Sequence, residues 1–107
     1  MKKTEQISAC QLSFEIFGDR WNLKIVDVLR NEALRFNDIM RELSINTATL
    51  SGRLRQLEEL NLLNRIEQSC DKQSVAYELT ALGKELLPVI DDMLKLSSKL
   101  AKSATQN

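Results

Sequence analysis

The stretch NTATLSGRLRQLEELNLL, Asn46 to Leu63, decides how the chain is read. Leu50, Leu54 and Leu57 recur at i, i+4 and i+7, which places them on one stripe of a helix. Ala48, Ser51, Gly52, Arg55 and Gln56 fall on the opposite face, where side chains are small or hydrogen-bonding and carry one positive charge. Asn46 and Thr47 stand where a short polar side chain can cap the first orphan N–H groups. Such a helix can dock its leucines on a core. Its outer face is small, polar and locally cationic, which suits a DNA major groove. An ordinary amphipathic surface helix would show the same leucine stripe, so the flanking sequence has to discriminate.

Working upstream, Ser44–Ile45 is a tight connection to a preceding helix, Asn37 to Leu43, with Phe36, Ile39, Met40 and Leu43 facing inward. Two short helices joined this way, the second polar on its outer side, make a helix-turn-helix. Leu34–Arg35–Phe36 has the character of a very short strand after a break at Asn31–Arg35. Trp21, Ile25, Val28 and Leu29 keep helical spacing, so a helix is expected from about Arg20–Trp21, capped by Asp19. Trp21 reads as a core anchor, with a ligand-stacking role as the other use of such a ring. Residues 8–17 form a first short helix with Leu12, Ile16 and Phe17 on one side, Phe14 off that stripe and Gly18 as its stop.

Downstream, Leu63 to Gln68 and Val75 to Leu79 alternate as strands, with Val75, Tyr77 and Leu79 sharing a face. The polar loop between them, 69–74, contains Cys70 and Lys72. Three helices followed by strand, loop and strand define a winged helix, with 69–74 as the wing. Thr80 caps a last helix, Ala81 to about Lys102, whose apolar face includes Leu82, Leu86, Val89, Ile90, Met93, Leu94, Leu96 and Leu100. Pro88 inside it is expected to kink the helix or cost roughly 3 kcal/mol. A small domain has little core left to cover so many apolar residues. A homodimer interface is therefore expected from the first and last helices, through Leu12, Phe14, Val89, Ile90, Met93, Leu94, Leu96 and Leu100.

The fold class is thus mainly α with a small β-hairpin, one winged helix-turn-helix domain over 1–107. Its core spans 8–79 and its dimerisation helix 80–102. The chain of 107 residues has a formal net charge of +0, which argues against a generic polycation but allows charge to be concentrated on one face. It has no histidine, which removes the commonest general base and zinc ligand. Cys10 and Cys70 form no CxxC pair; they are either two free thiols or include one redox-responsive thiol. Asp91–Asp92 reads as solvated surface. No catalytic constellation, cofactor motif or metal site is expected. The basic start MKKTEQIS lacks an apolar segment behind it, and no apolar run approaches the ~20 residues of a membrane span, so a cytoplasmic protein is expected.

FGDRW (17–21), LRFNDIMREL (34–43), LSGRLRQLEELNLLNR (50–65) and YELTALGKELLPVI (77–90) together resemble the HxlR-type winged helix-turn-helix transcription regulators, relatives of the MarR group. The likeness covers roughly residues 12–98, with several motifs in the family's order. It implies a bacterial or archaeal homodimer on a pseudo-palindromic operator. Recognition helices would enter successive major grooves and wings would reach the flanking minor groove or backbone. Some family members sense electrophiles or oxidants through a cysteine near the N-terminus. That position corresponds to Ile7 or Ser8, so Cys10 is displaced by about one helical turn. The family's frequent Ser-Pro-Lys start of the recognition helix is Asn46-Thr47-Ala48 here, and the wing lacks the usual proline pair.

Direct base readout is assigned to Thr47, Ala48, Ser51, Gly52 and Arg55. Arg35, Asn37 and Lys72 are phosphate candidates. Arg53 lies nearer the core edge, suited to a phosphate or to an internal ion pair. Glu58 and Glu59 would be repelled by phosphate, so only the N-terminal half of the helix should enter the groove. The partners expected are double-stranded DNA and a second copy of the chain. The competing function is a winged-helix protein–protein adaptor without specific DNA binding.

Overall fold

The computed structural model describes residues 8–67 and 75–105. Helix α1 begins as an α-turn, Ala9–Gln11, and widens into a π-helical turn, Leu12–Ile16. Ser8 and Gln11 close a capping box at its start. Helix α2 is Asn22–Val28, β1 is Leu34–Arg35, α3 is Phe36–Leu43 and α4 is Thr47–Glu59. Strands β2, Leu63–Glu67, and β3, Val75–Leu79, follow. The chain then forms α5, Ala81–Lys84, and α6, Leu86–Thr105.

The hairpin expected from the alternating segments is present and gains a third strand. The sheet order is β1-β3-β2, antiparallel throughout, with Leu34 opposite Tyr77 and Leu63 opposite Leu79. Central placement of β3 explains a departure from simple alternation: Ala76 is buried along with Val75, Tyr77 and Leu79.

The core forms where α2, α3 and α4 meet the sheet. Ile25, Val26, Ile39, Leu50, Leu54 and Leu57 are its most buried apolar members. Each leucine so buried contributes about 1.5–3 kcal/mol relative to exposure. Two non-glycine residues at positive φ, Ser44 and Asn61, close the helices on either side. After α3, Ser44 turns the chain at φ 53 and the Ile45 amide donates to the Met40 carbonyl at 3.3 Å. After α4, the amides of Asn61 and Leu62 donate to the carbonyls of Glu58 and Leu57 at 2.9 and 3.0 Å. That is a Schellman arrangement with asparagine in place of the usual glycine.

Several expectations are corrected. Helix α2 starts at Asn22, one residue after Trp21, because the Asp19 carboxylate accepts the Trp21 amide at 3.0 Å in the turn ahead of it. The expected last helix is two helices, α5 and α6, with a break at Glu85. Pro88 is the third residue of α6, in the first turn, where its missing N–H leaves no intrahelical bond unmade. The break three residues before Pro88 is the interruption expected of it, since a proline ring excludes a helical carbonyl four residues earlier, at Lys84. Ile90 faces inward, 6% exposed and part of the core, so it is not available to a partner chain. Asp91 is not simply solvated: its Oδ1 accepts from Arg30 Nη2 at 2.8 Å, and Arg30 also bonds Asp27. This pairing holds the Asp91 carboxyl below its ordinary range and raises the guanidinium further, and it ties α6 to the end of α2.

The join between α5 and the sheet is tight. Thr80 caps α5 by accepting the Gly83 amide at 2.9 Å, and its hydroxyl donates to the Asn61 carbonyl at 2.7 Å. A Cβ on Gly83 would lie 2.2 Å from the Leu62 carbonyl oxygen, a backbone atom with no freedom to rotate away. Gly83→Ala is expected to destabilise the protein by about 1–3 kcal/mol in urea denaturation, the ordinary cost of overpacking.

Candidate nucleic-acid interface

Helix α4 has four distinguishable sides. Leu50, Leu54 and Leu57 are 0–1% exposed and form the inner side. Ala48, Gly52 and Arg55 are exposed on the outer side, with Thr47 and Ser51 exposed near its start. Asn46 caps the helix, its side chain accepting the Thr49 amide at 2.8 Å. The cap and the leucine stripe thus direct the N-terminal half of α4 outward, as the sequence predicts. The Thr47 hydroxyl leans back on α3, donating to Met40 Sδ at 3.4 Å.

The remaining two sides differ. On one, Arg53 Nε donates to Asp19 Oδ2 at 2.9 Å, so the structure places Arg53 in the internal ion pair rather than free toward solvent. Partial burial works to raise the Asp19 carboxyl, but the Arg53 hydrogen bond and the Trp21 amide outweigh it and hold it below its ordinary 3.8. Beside this pair, Asn22 Nδ2 donates to Gln56 Oε1 at 3.1 Å and to the Ile16 carbonyl at 2.8 Å. Asn22 is fully buried, and its Oδ1 has no hydrogen-bond partner among the described residues. An unmade bond of this kind costs about 1–3 kcal/mol. On the other side, Glu58 faces the sheet. Burial pushes its carboxyl up, opposed by Arg65 and Arg55 and reinforced by Glu59. Tyr77, also raised by burial, shares Arg65 with it.

The sequence did not single out Asn22, Gln56 or Asp19 as a group. Asn22 falls on the same helical face as Ile25, Val26 and Leu29, which was the available signal, and only the fold brings position 22 against position 56.

Arg35 is exposed at the N-cap of α3, and Asn37 is exposed in the first turn of that helix. Side-chain contact between α3 and α4 is made instead by Thr47 with Met40. Lys72, Cys70 and the wing 69–74 lie outside the described residues. Cys10 is a free, exposed thiol on α1. Among the expected interface residues, Leu12 is half-buried and lines an apolar hollow of about 250 Å³ together with Phe17, Leu60, Leu62 and Leu86. Phe14 is 77% exposed, and Val89, Met93, Leu94, Leu96 and Leu100 are 50–61% exposed. Leu82, 51% exposed, belongs with them and was not assigned to an interface from sequence. No helix among the described residues is long and apolar enough to cross a membrane.

A helix that exposes small and polar residues with Arg55 over a buried leucine stripe, preceded by a short helix and followed by an antiparallel β2–β3 pair, defines a winged helix-turn-helix protein. The HxlR-like helix-turn-helix family matches residues 16–105, and the chain belongs to that family. An HTH-type transcriptional regulator of Mycobacterium tuberculosis is 38% identical over 78 residues, covering 73% of this chain and 49% of its own length. The chain thus spans about half the length of the curated relatives it matches at that level. Among solved structures, the HTH-type protein ytcD superposes with a TM-score of 0.81 at 25% identity, covering 90% of this chain and 99% of that one. Quinone-bound YodB from Bacillus subtilis superposes with a TM-score of 0.69 at 28% identity, covering 84% and 96%.

Gly52 supplies a direct test of whether the outer face is shaped for something outside the chain. A Cβ there would meet nothing within 4 Å. Glycine in mid-helix costs about 0.5–1 kcal/mol relative to alanine. Gly52→Ala is therefore expected to stabilise the isolated protein by about that amount in urea denaturation.

Proposed function

We propose that the chain is a transcriptional regulator that binds a pseudo-palindromic operator as a homodimer and reads it with the N-terminal half of α4. The observation that carries this reading is the contrast across α4: its leucines are fully buried, while Thr47, Ala48, Ser51, Gly52 and Arg55 are exposed. Arg55 can reach guanine or a phosphate, Ser51 can donate or accept, and Ala48 can meet a thymine methyl. Gly52 adds no bulk between the helix and a base edge. Arg35, Asn37 and the wing residue Lys72 serve as backbone contacts. Arg53 acts indirectly, through Asp19, by fixing the rotation of α4.

The homodimer reading rests on the apolar surface. Phe14 on α1 and Val89, Met93, Leu94, Leu96 and Leu100 on α6 leave a large hydrophobic area uncovered. Val89, Met93, Leu96 and Leu100 recur at i, i+4, i+7 and i+11, one exposed stripe along α6, and an exposed apolar stripe of this kind marks an interaction surface. Two copies related by a two-fold axis would bury it and set two recognition helices against successive grooves. Such a regulator acts in the cytoplasm, where the chromosome lies.

A thiol response through Cys10 is the finer part of this proposal. Its support is the exposed thiol on α1 and the likeness to YodB, a structure solved with quinone bound. Oxidation or alkylation there would alter the helix whose last turn, at Ile16, is hydrogen-bonded to Asn22 and through it to α4. Cys70, in the wing, is the other candidate.

Selection of duplexes from a randomised pool tests the reading. The expected product is a two-fold symmetric site with half-sites about one helical turn apart, bound by a species that sediments as a dimer. Arg55→Gln should weaken that binding by about 1–3 kcal/mol. Cys10→Ser should abolish any loss of binding seen on oxidation. An unenriched pool together with a monomer in sedimentation contradicts the proposal; an unenriched pool with a dimer supports the adaptor instead.

A further inference from the structure

The arginines of the described residues divide into two groups. Arg30, Arg41, Arg53 and Arg65 each lie against a carboxylate. Arg20, Arg35 and Arg55 are exposed and make no ion pair among the described residues. Arg35 and Arg55 belong to the helix-turn-helix. Arg20 does not; it sits in the turn that precedes α2.

Arg20 is nonetheless held in place. Its guanidinium carbon lies 4.8 Å from the centroid of the Trp21 ring, and Lys24 Nζ lies 5.1 Å from the same centroid. Lys24 too is exposed and without a carboxylate partner among the described residues. The ring attracts both cations through its quadrupole, yet no carboxylate among the described residues pairs with either. Two like charges gathered on one ring repel each other, and an external polyanion would relieve that repulsion.

The turn carrying this pair is fixed beside α4. Asp19 Oδ2 accepts both the Trp21 amide, at 3.0 Å, and Arg53 Nε, at 2.9 Å. Asn22 reaches Gln56 one turn further along α4. Asp19 and Asn22, which bracket Arg20 and Trp21 in sequence, therefore border the Arg53 and Gln56 side of α4, whereas Arg65 on the sheet is near enough to Glu58 to act on its carboxyl. A helix in the major groove, about 12 Å wide, lies between two phosphate backbones. The wing-bearing hairpin belongs to one side, and the cations on Trp21 belong to the other.

We propose that Arg20 and Lys24, held on the face of Trp21, form a phosphate-contact site for the DNA backbone on the side of α4 away from the sheet. This rests on the reading of α4 as the DNA-contacting helix. The contact carries no sequence information of its own. It sets the register of α4 in the groove and enlarges the salt dependence of binding.

Fluorescence anisotropy on the selected duplex, from about 50 to 200 mM salt, tests this with Arg20→Gln/Lys24→Gln against the wild-type chain and against Lys95→Gln/Lys99→Gln on α6. The first double variant is expected to lower the slope of log Kd against log salt by about 3–4, four phosphate contacts per dimer at roughly 0.9 each, and to weaken binding about tenfold or more at 0.1 M salt. Its melting midpoint and its ranking of duplex sequences should stay unchanged, since both side chains are exposed and phosphate contacts act uniformly across sequences. The α6 variant should match wild type. A double variant with wild-type slope and Kd overturns this proposal alone. A wild-type chain with no salt-dependent DNA binding overturns it together with the reading of α4.

Discussion

Burial of Leu50, Leu54 and Leu57 under α4 is the constraint on which the rest of the structure depends. Those side chains meet Ile25, Val26 and Ile39 from α2 and α3, so one apolar contact joins all three helices of the helix-turn-helix. Removing any of the three would cost roughly 2–5 kcal/mol, a large part of the stability of a small domain. The same contact decides the function-bearing geometry. With the leucines inward, Ala48, Gly52 and Arg55 can only face out.

A leucine stripe alone leaves a helix some freedom to roll. Here the roll is limited by polar contacts on one flank, Asp19–Arg53 and Asn22–Gln56. Asn22 is the most demanding of these groups, since it is fully buried with its carbonyl oxygen unpartnered. Asn22 also bonds the carbonyl of Ile16, the last residue of the π turn, so the end of α1 and the middle of α4 share one side chain. The end of α1 thus has a short covalent and hydrogen-bonded route to α4.

The helices, the hairpin and the exposed face of α4 were legible in the sequence because each is written in local periodicity and capping. Asn46 and Thr80 act as caps where a short polar residue precedes an apolar-periodic run. The parts that were not legible depend on residues distant in sequence. Ile90 shares its periodic face with Val89 and Met93, and only the crossing of α6 over α2 determines that it turns inward. Asp91 looks like surface until Arg30 is brought to it from 61 residues away. Pro88 signals an interruption of the last helix but not its place: the break falls three residues earlier, at Glu85, and leaves the proline in a first turn that tolerates it. The clamp on α4 was invisible for the same reason: Asp19 and Arg53 are 34 residues apart, as are Asn22 and Gln56.

The central claim is that the outer face of the N-terminal half of α4 is the surface that meets DNA. Amide chemical-shift mapping of isotope-labelled protein titrated with a specifically bound duplex tests it most directly. The account predicts that the largest shifts cluster at Thr47, Ala48, Ser51, Gly52 and Arg55, while amides late in α6 move little. Shifts concentrated on α6, with α4 unperturbed, would contradict it.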